Sequence, residues 1–116
     1  TTIHDTLSTL NWHLNDELAA ALQKPLVRMA SEYLVNVKKR NRALDPVANF
    51  HLNNGARLER INWLADTSEK GMKESAGMMV NYLYNLKDIE SNHETYRESA
   101  KTITSSAVQS LLKKAK

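Results

Sequence analysis

His51 is the side chain with the clearest chemical use in this sequence. It lies in DPVANFHLNNG, positions 45–55, just ahead of an Asn-Asn-Gly turn. An imidazole titrates near neutrality, so it can give or take a proton at low cost and serve as a general acid or base. The same residue also fits a structural histidine that is exposed or hydrogen-bonded. His93 sits beside an expected helix cap, and His4 and His13 fall in an amphipathic helical region, so these three read as structural. No two histidines have metal-ligand spacing such as H-E-x-x-H, and no metal site is expected. The absence of cysteine excludes disulfides, thiolate ligands and cysteine nucleophiles. Glycines 71 and 77 frame SEKGMKESAG, which matches neither G-x-x-x-x-G-K-[ST] nor G-x-G-x-x-G. The helix N-terminus implied there still offers backbone N–H groups to an anion. Tyr82 and Tyr84 fit ordinary strand aromatics.

The elements that must position these residues divide the chain into three parts. Residues 1–44 read as helical, with Ile3, Leu7 and Leu10 at helical spacing. Asn15 suits the N-cap of a helix over Asp16–Gln23, and Pro25 suits the first turn of a second one. Leu26, Met29, Ala30, Tyr33, Leu34 and Val37 then repeat as a buried stripe. Residues 45–85 read as a strand-rich block. Val47, Asn49 and His51 are expected on one face of a strand, with Ala48, Phe50 and Leu52 on the apolar face. Asn53-Asn54-Gly55 marks a turn, and residues 57–65 read as a strand. Asp66-Thr67-Ser68 caps a short helix through Ser75. GMMVNYLY reads as another strand, in which Val80, Tyr82 and Tyr84 share a face. Residues 86–116 read as C-terminal helices. Ser91 or Asn92 is the expected cap of the first, and Ile103, Ala107, Val108, Leu111 and Leu112 form one face of the last. Helices flanking a small sheet make the chain α+β.

Composition sets the outer limits. With 116 residues, 41% hydrophobic and 25% charged, the chain suits one modest globular domain or part of a larger one. A net charge of +3 with interspersed acids and bases argues against a dedicated nucleic-acid surface. The two basic clusters, KKR at 38–40 and the terminal KKAK, read as solvated helix ends. No apolar run approaches a membrane span, and no secretory segment is visible. Because the first residue is Thr1, the chain is expected to begin inside a longer polypeptide or to have been processed.

The block DPVANFHLNNGARLERINWLADTSEKGMKESAGMMVNYLY closely resembles the C-terminal part of malonyl-CoA decarboxylases, in its bacterial form. The features that carry the resemblance are DPVANFHL, the NGA turn, RINW, the spacing AD-x-S-x-x-G-x-x-x-S-x-G and the closing NY-x-Y. KPLVRMASEYL and IESNHETY extend it over most of the chain. The resemblance implies conversion of malonyl-CoA to acetyl-CoA and CO2 without a metal or organic cofactor. It also implies a catalytic domain with a GNAT-like acyl-CoA-binding fold, of which this chain is the C-terminal portion. Within the matching block, His51 corresponds to the family's catalytic histidine and Tyr84 to an active-site tyrosine. The family's catalytic serine and a supporting glutamate lie upstream, so the remainder of the same enzyme is an expected partner. Asn49, on the expected strand face of His51, is a candidate to orient the ring and bind substrate, as are Ser68 and Ser75. A homo-oligomer in the cytoplasm is expected, with no nucleic acid and no membrane; the C-terminus is not the S-K-L peroxisomal address. Two other readings compete: a GNAT-like acyl-CoA N-acyltransferase, for which no pyrophosphate loop is identifiable, and a non-enzymatic helical interaction module in which His51 is incidental.

Overall fold

A computed structural model of the chain describes residues 11–112. The helical spacing of Ile3, Leu7 and Leu10, the role of His4 and the KKAK cluster lie outside the described residues. The described residues form an α+β structure of helices around two small antiparallel sheets.

After a 3-10 turn at Trp12–Leu14, helix α1 spans Asp16–Asn36. Asn15 caps it as expected, its side-chain oxygen accepting from the N–H groups of Glu17 and Leu18 at 3.1 and 3.2 Å. The expected break at Pro25 does not occur, and one helix of 21 residues runs through it. An internal proline costs about 3 kcal/mol through its missing N–H and its clash with the preceding turn. That cost is offset because Ala19, Leu22, Leu26, Val27, Leu34 and Val35 bury one continuous face on both sides of the proline. The buried stripe is therefore rotated from the expected one, leaving Met29 57% exposed and Tyr33 and Val37 outside the core.

Residues 38–43 depart from the helical reading and form a hairpin, β1 (Lys38–Lys39) paired with β2 (Arg42–Ala43). Its two central residues, Arg40 and Asn41, have φ of 55° and 63°. Two successive positive φ values are what a tight type I′ hairpin requires. The KKR cluster thus lies in a hairpin, not at a helix end. The Lys38 ammonium donates to Thr102 Oγ1 at 2.6 Å, and burial lowers its pKa.

The largest correction falls on residues 45–52, which form a helix and not a strand: α2, Pro46–Asn53. Asp45 is its N-cap, with a carboxylate oxygen 2.9 Å from the Ala48 N–H, and Pro46 stands where its missing N–H costs nothing. Ala48 and Leu52 are four residues apart and both buried, so the core takes a helical stripe and not alternate residues. The expected turn follows at Asn54-Gly55, with Gly55 at φ 91°.

Strand β3 (Arg57–Asn62) pairs antiparallel with β4 (Met79–Leu83), with Leu58 opposite Tyr82 and Ile61 opposite Val80. Between them lies α3 (Glu69–Ser75), capped by Ser68 as expected. Block 45–85 therefore holds two helices and two strands. Helix α4 covers Ile89–Ser99 and starts at Asp88, ahead of the expected Ser91 or Asn92 cap; Asn92 is buried inside it. Helix α5 covers Ser106–Leu112. Ile103 precedes it, and its carbonyl accepts from the Leu58 N–H at 2.8 Å, so residues around 103–105 flank β3 on the side away from β4. Ala107 is exposed, and the buried contact of α5 is Val108. The main core joins Val27, Leu34, Leu52, Leu58, Tyr96 and Val108; a second cluster packs Trp12, Leu22 and Leu26 against Trp63.

Candidate active site

Helix α2 is clamped on one side, which decides what its other side presents. Asn92 of α4 donates to the Gly55 carbonyl at 3.1 Å, and the His93 ring bonds the Asn53 carbonyl. This makes His93 structural, as expected. The approach is so close that a Cβ at Gly55 would lie 2.4 Å from the Ile89 carbonyl, so glycine is needed for space as well as for its positive φ. A third tie runs through Tyr96, whose hydroxyl accepts from the Ala43 N–H and donates to Asn49 Oδ1, both at 2.7 Å. Asn49 is thereby committed to α4. On a helix it stands about 200° from His51, so it does not orient the imidazole as a shared strand face would have allowed.

The opposite side of α2 carries His51, flanked by Val47 and Phe50, which are 59% and 62% exposed. The imidazole lies flat on the Tyr82 ring, centroids 4.3 Å apart and planes 17° from parallel. Phe50 meets it edge-on at 5.3 Å. His51 Nδ1 is 2.7 Å from the Tyr84 hydroxyl. The alternation expected for β4 thus places Tyr82 and Tyr84 together, and the helix α2 brings His51 to both. Burial, followed by the negative charge of Asp45, pushes the Tyr82 phenol up to about 12, so it stays neutral as a stacking platform near pH 7.

This geometry leaves Nε2 as the ring nitrogen with no hydrogen bond among the described residues. When Tyr84 donates to Nδ1, the neutral ring carries its proton on Nε2 and presents a donor; the reverse tautomer presents a base. Tyr84 therefore sets what His51 offers to a ligand. Tyr84→Phe, which keeps the ring and removes the hydroxyl, should reduce kcat/KM of any reaction that uses His51 about tenfold, the worth of roughly one hydrogen bond. Parent-like kinetics would reduce Tyr84 to a packing residue.

Ser68 and Ser75 are not brought to this pair. The Ser68 hydroxyl accepts from the Gly71 N–H at 3.0 Å and donates to Asp66 at 2.7 Å, while Ser75 donates to the Gly71 carbonyl at 3.1 Å. Both serve α3, and the bonds from Ser68 hold the Asp66 carboxyl below its usual range. No hydrogen bond or ring contact joins either serine to His51 or Tyr84 among the described residues. His13 packs edge-on against Trp12 at 6.2 Å. No three His, Cys, Asp or Glu side chains cluster as metal ligands among the described residues. Sequence reasoning passed over Tyr82 as a partner of His51 and the Asn92, His93 and Tyr96 clamp. The Tyr-x-Tyr spacing was the available signal for the first; the clamp had none, because it joins residues about forty positions apart.

An α+β structure that sets one histidine against a tyrosine at the end of β4 can present a proton donor or acceptor to a ligand. Residues 2–116 match the family described as malonyl-CoA decarboxylase C-terminal domain, and the chain belongs to that family. It is 50% identical to the mitochondrial malonyl-CoA decarboxylase of Anser anser anser over 82% of the chain and 19% of the relative. It is 45% identical to that of Rattus norvegicus over 95% of the chain and 23% of the relative. The crystal structure of malonyl-CoA decarboxylase from Rhodopseudomonas palustris superposes with a TM-score of 0.88 at 47% identity, over 92% of this chain and 25% of that one. The Agrobacterium vitis structure gives a TM-score of 0.88 at 44% identity, over 93% and 27%. The chain thus spans about a fifth to a quarter of the length of these relatives.

Proposed function

We propose that this chain supplies the histidine side of a malonyl-CoA decarboxylase active site, the rest of which comes from the remainder of a family-length polypeptide. The observation that carries this reading is the His51 Nδ1–Tyr84 hydroxyl pair at 2.7 Å, inside the block that resembles the family most closely. In a malonyl thioester, the bond between the α-carbon and the carboxylate breaks, CO2 leaves, and the electron pair spreads over the α-carbon and the thioester oxygen. Hydrogen-bond donors aimed at that oxygen stabilise the enolate. A proton delivered to the α-carbon then gives the acetyl thioester. His51, oriented by Tyr84 and stacked on Tyr82, can donate or relay that proton through Nε2. The resemblance implies that a serine and a glutamate of the same site belong to the upstream part of such an enzyme.

The GNAT-like architecture belongs to the same proposal. Among the described residues β4 has a strand on one edge alone, so the sheet can continue into the remainder of the polypeptide. The test is to supply malonyl-CoA to a polypeptide of family length carrying this chain, with no metal or cofactor added. Stoichiometric acetyl-CoA and CO2 are expected. Acyl transfer to an amine without CO2 release would replace this reading with the N-acyltransferase one.

A further inference from the structure

On the side of α2 opposite His51, the hairpin tip and α4 enclose a cleft of about 340 Å³ that the proposed chemistry does not use. Arg40, Asn41 and Arg42 of the hairpin, Asn49 of α2, and Tyr96 and Arg97 of α4 line it. Among the described residues no carboxylate lines it. None of the three arginines has an ion-pair partner among the described residues, in which Arg57 pairs with Glu59. Asn49 Oδ1 is already taken by the Tyr96 hydroxyl, which leaves its amide nitrogen as the group free to bond. The cleft therefore offers donors and positive charge with little accepting capacity to match.

Its frame is fixed. Tyr96 links the β2 backbone to α2 through two hydrogen bonds of 2.7 Å, so hairpin, α2 and α4 hold one another around the cleft. Arg40 is held at φ 55° in a turn position that favours asparagine or glycine. A non-glycine residue is disfavoured in that region, and here that position carries a guanidinium into the cleft wall.

We propose that this cleft is a binding site for a phosphoryl group. Guanidinium forks match tetrahedral oxyanions with paired hydrogen bonds, and three of them offer more donors than a single carboxylate can accept. Arginine stays charged at every physiological pH, so binding should depend on salt and little on pH above the phosphate's second ionisation. The site stands independently of the decarboxylase reading, since it uses neither His51 nor Tyr84.

The experiment titrates inorganic pyrophosphate into the family-length protein by calorimetry, alongside the double variant Arg42→Gln/Arg97→Gln. Both residues are exposed, so the variant should fold, which circular dichroism checks. Saturable binding that weakens with salt and falls at least about tenfold for each guanidinium removed is the expected result. Repeating the titration with CoA present separates the two sources of the phosphoryl group. Competition by CoA identifies it as the substrate's own, and unchanged binding identifies a separate phosphorylated ligand. No saturable binding, or equal binding by the double variant, overturns the proposal.

Discussion

Replacing His51 with asparagine in the family-length enzyme should lower turnover of malonyl-CoA by about 10²–10⁴-fold, the range for loss of a positioned acid or base. Asparagine is close in reach and can still bond the Tyr84 hydroxyl, so the change removes titration more than geometry. The fold should survive, because the buried residues of α2 are Ala48 and Leu52 and its ties to α4 run through Asn49, Asn53 and Gly55. The stack on Tyr82 is lost, but an aromatic pair contributes about 0.5–1.5 kcal/mol at most beyond its area. If His51 acts in proton transfer, kcat should fall with KM little changed, since the imidazole is then needed most at the transition state. A fall in binding without loss of kcat would assign His51 to substrate recognition. Near-normal turnover would remove it from the mechanism.

The identity of the candidate pair was legible before its geometry was. His51 and Tyr84 stood out through the matching block, and the alternation of GMMVNYLY placed Tyr84 correctly beside Tyr82, because a strand with one half-buried face shows its period over five residues. The α3 cap was equally plain: Ser68 is a local signal satisfied by a bond three residues away. Residues 45–52 misled because eight residues hold barely two helical turns, and Val-Ala-Asn-Phe-His-Leu satisfies alternation as well as it does i, i+4. The decisive signal was Asp45-Pro46, an N-cap followed by proline at the first helical position, which reads as a helix start as readily as a break. At Pro25 the opposite error arose. There a local rule was overridden by a buried face that extends beyond it, and propensity yields to tertiary packing in such cases. The hairpin at 38–43 rests on two non-glycine residues with positive φ, and of the two only Asn41 is a type that favours that conformation, so its local signal is weak.

Residues 1–116 purified alone should show no decarboxylase activity above background, and should regain it when the rest of a family enzyme is supplied. The chain spans about a quarter of the solved family structures, and the groups the resemblance places upstream are not found at a recognisable motif within it. The surface around the candidate site has the character of an unfinished interface. Val47 and Phe50 on α2 flank His51 and are exposed, as is Leu86 beyond β4 at 89%, while Met79 and Leu83 are exposed on the face of β4 opposite Tyr82. Apolar side chains grouped beside an open strand edge favour association with another chain surface. In isolation that surface should drive self-association or low solubility, which light scattering would record. Neither outcome completes a cleft. His51 and Tyr84 set out one wall at 2.7 Å separation, but decarboxylation needs the thioester held in register against donors on another, and misplacement by about 1 Å costs on the order of 10²-fold. Recombination of the chain with the upstream polypeptide should therefore restore acetyl-CoA formation together with a fall in scattering. Robust turnover by residues 1–116 alone would show that the catalytic groups all lie within them and that His51 has a different partner from the one proposed.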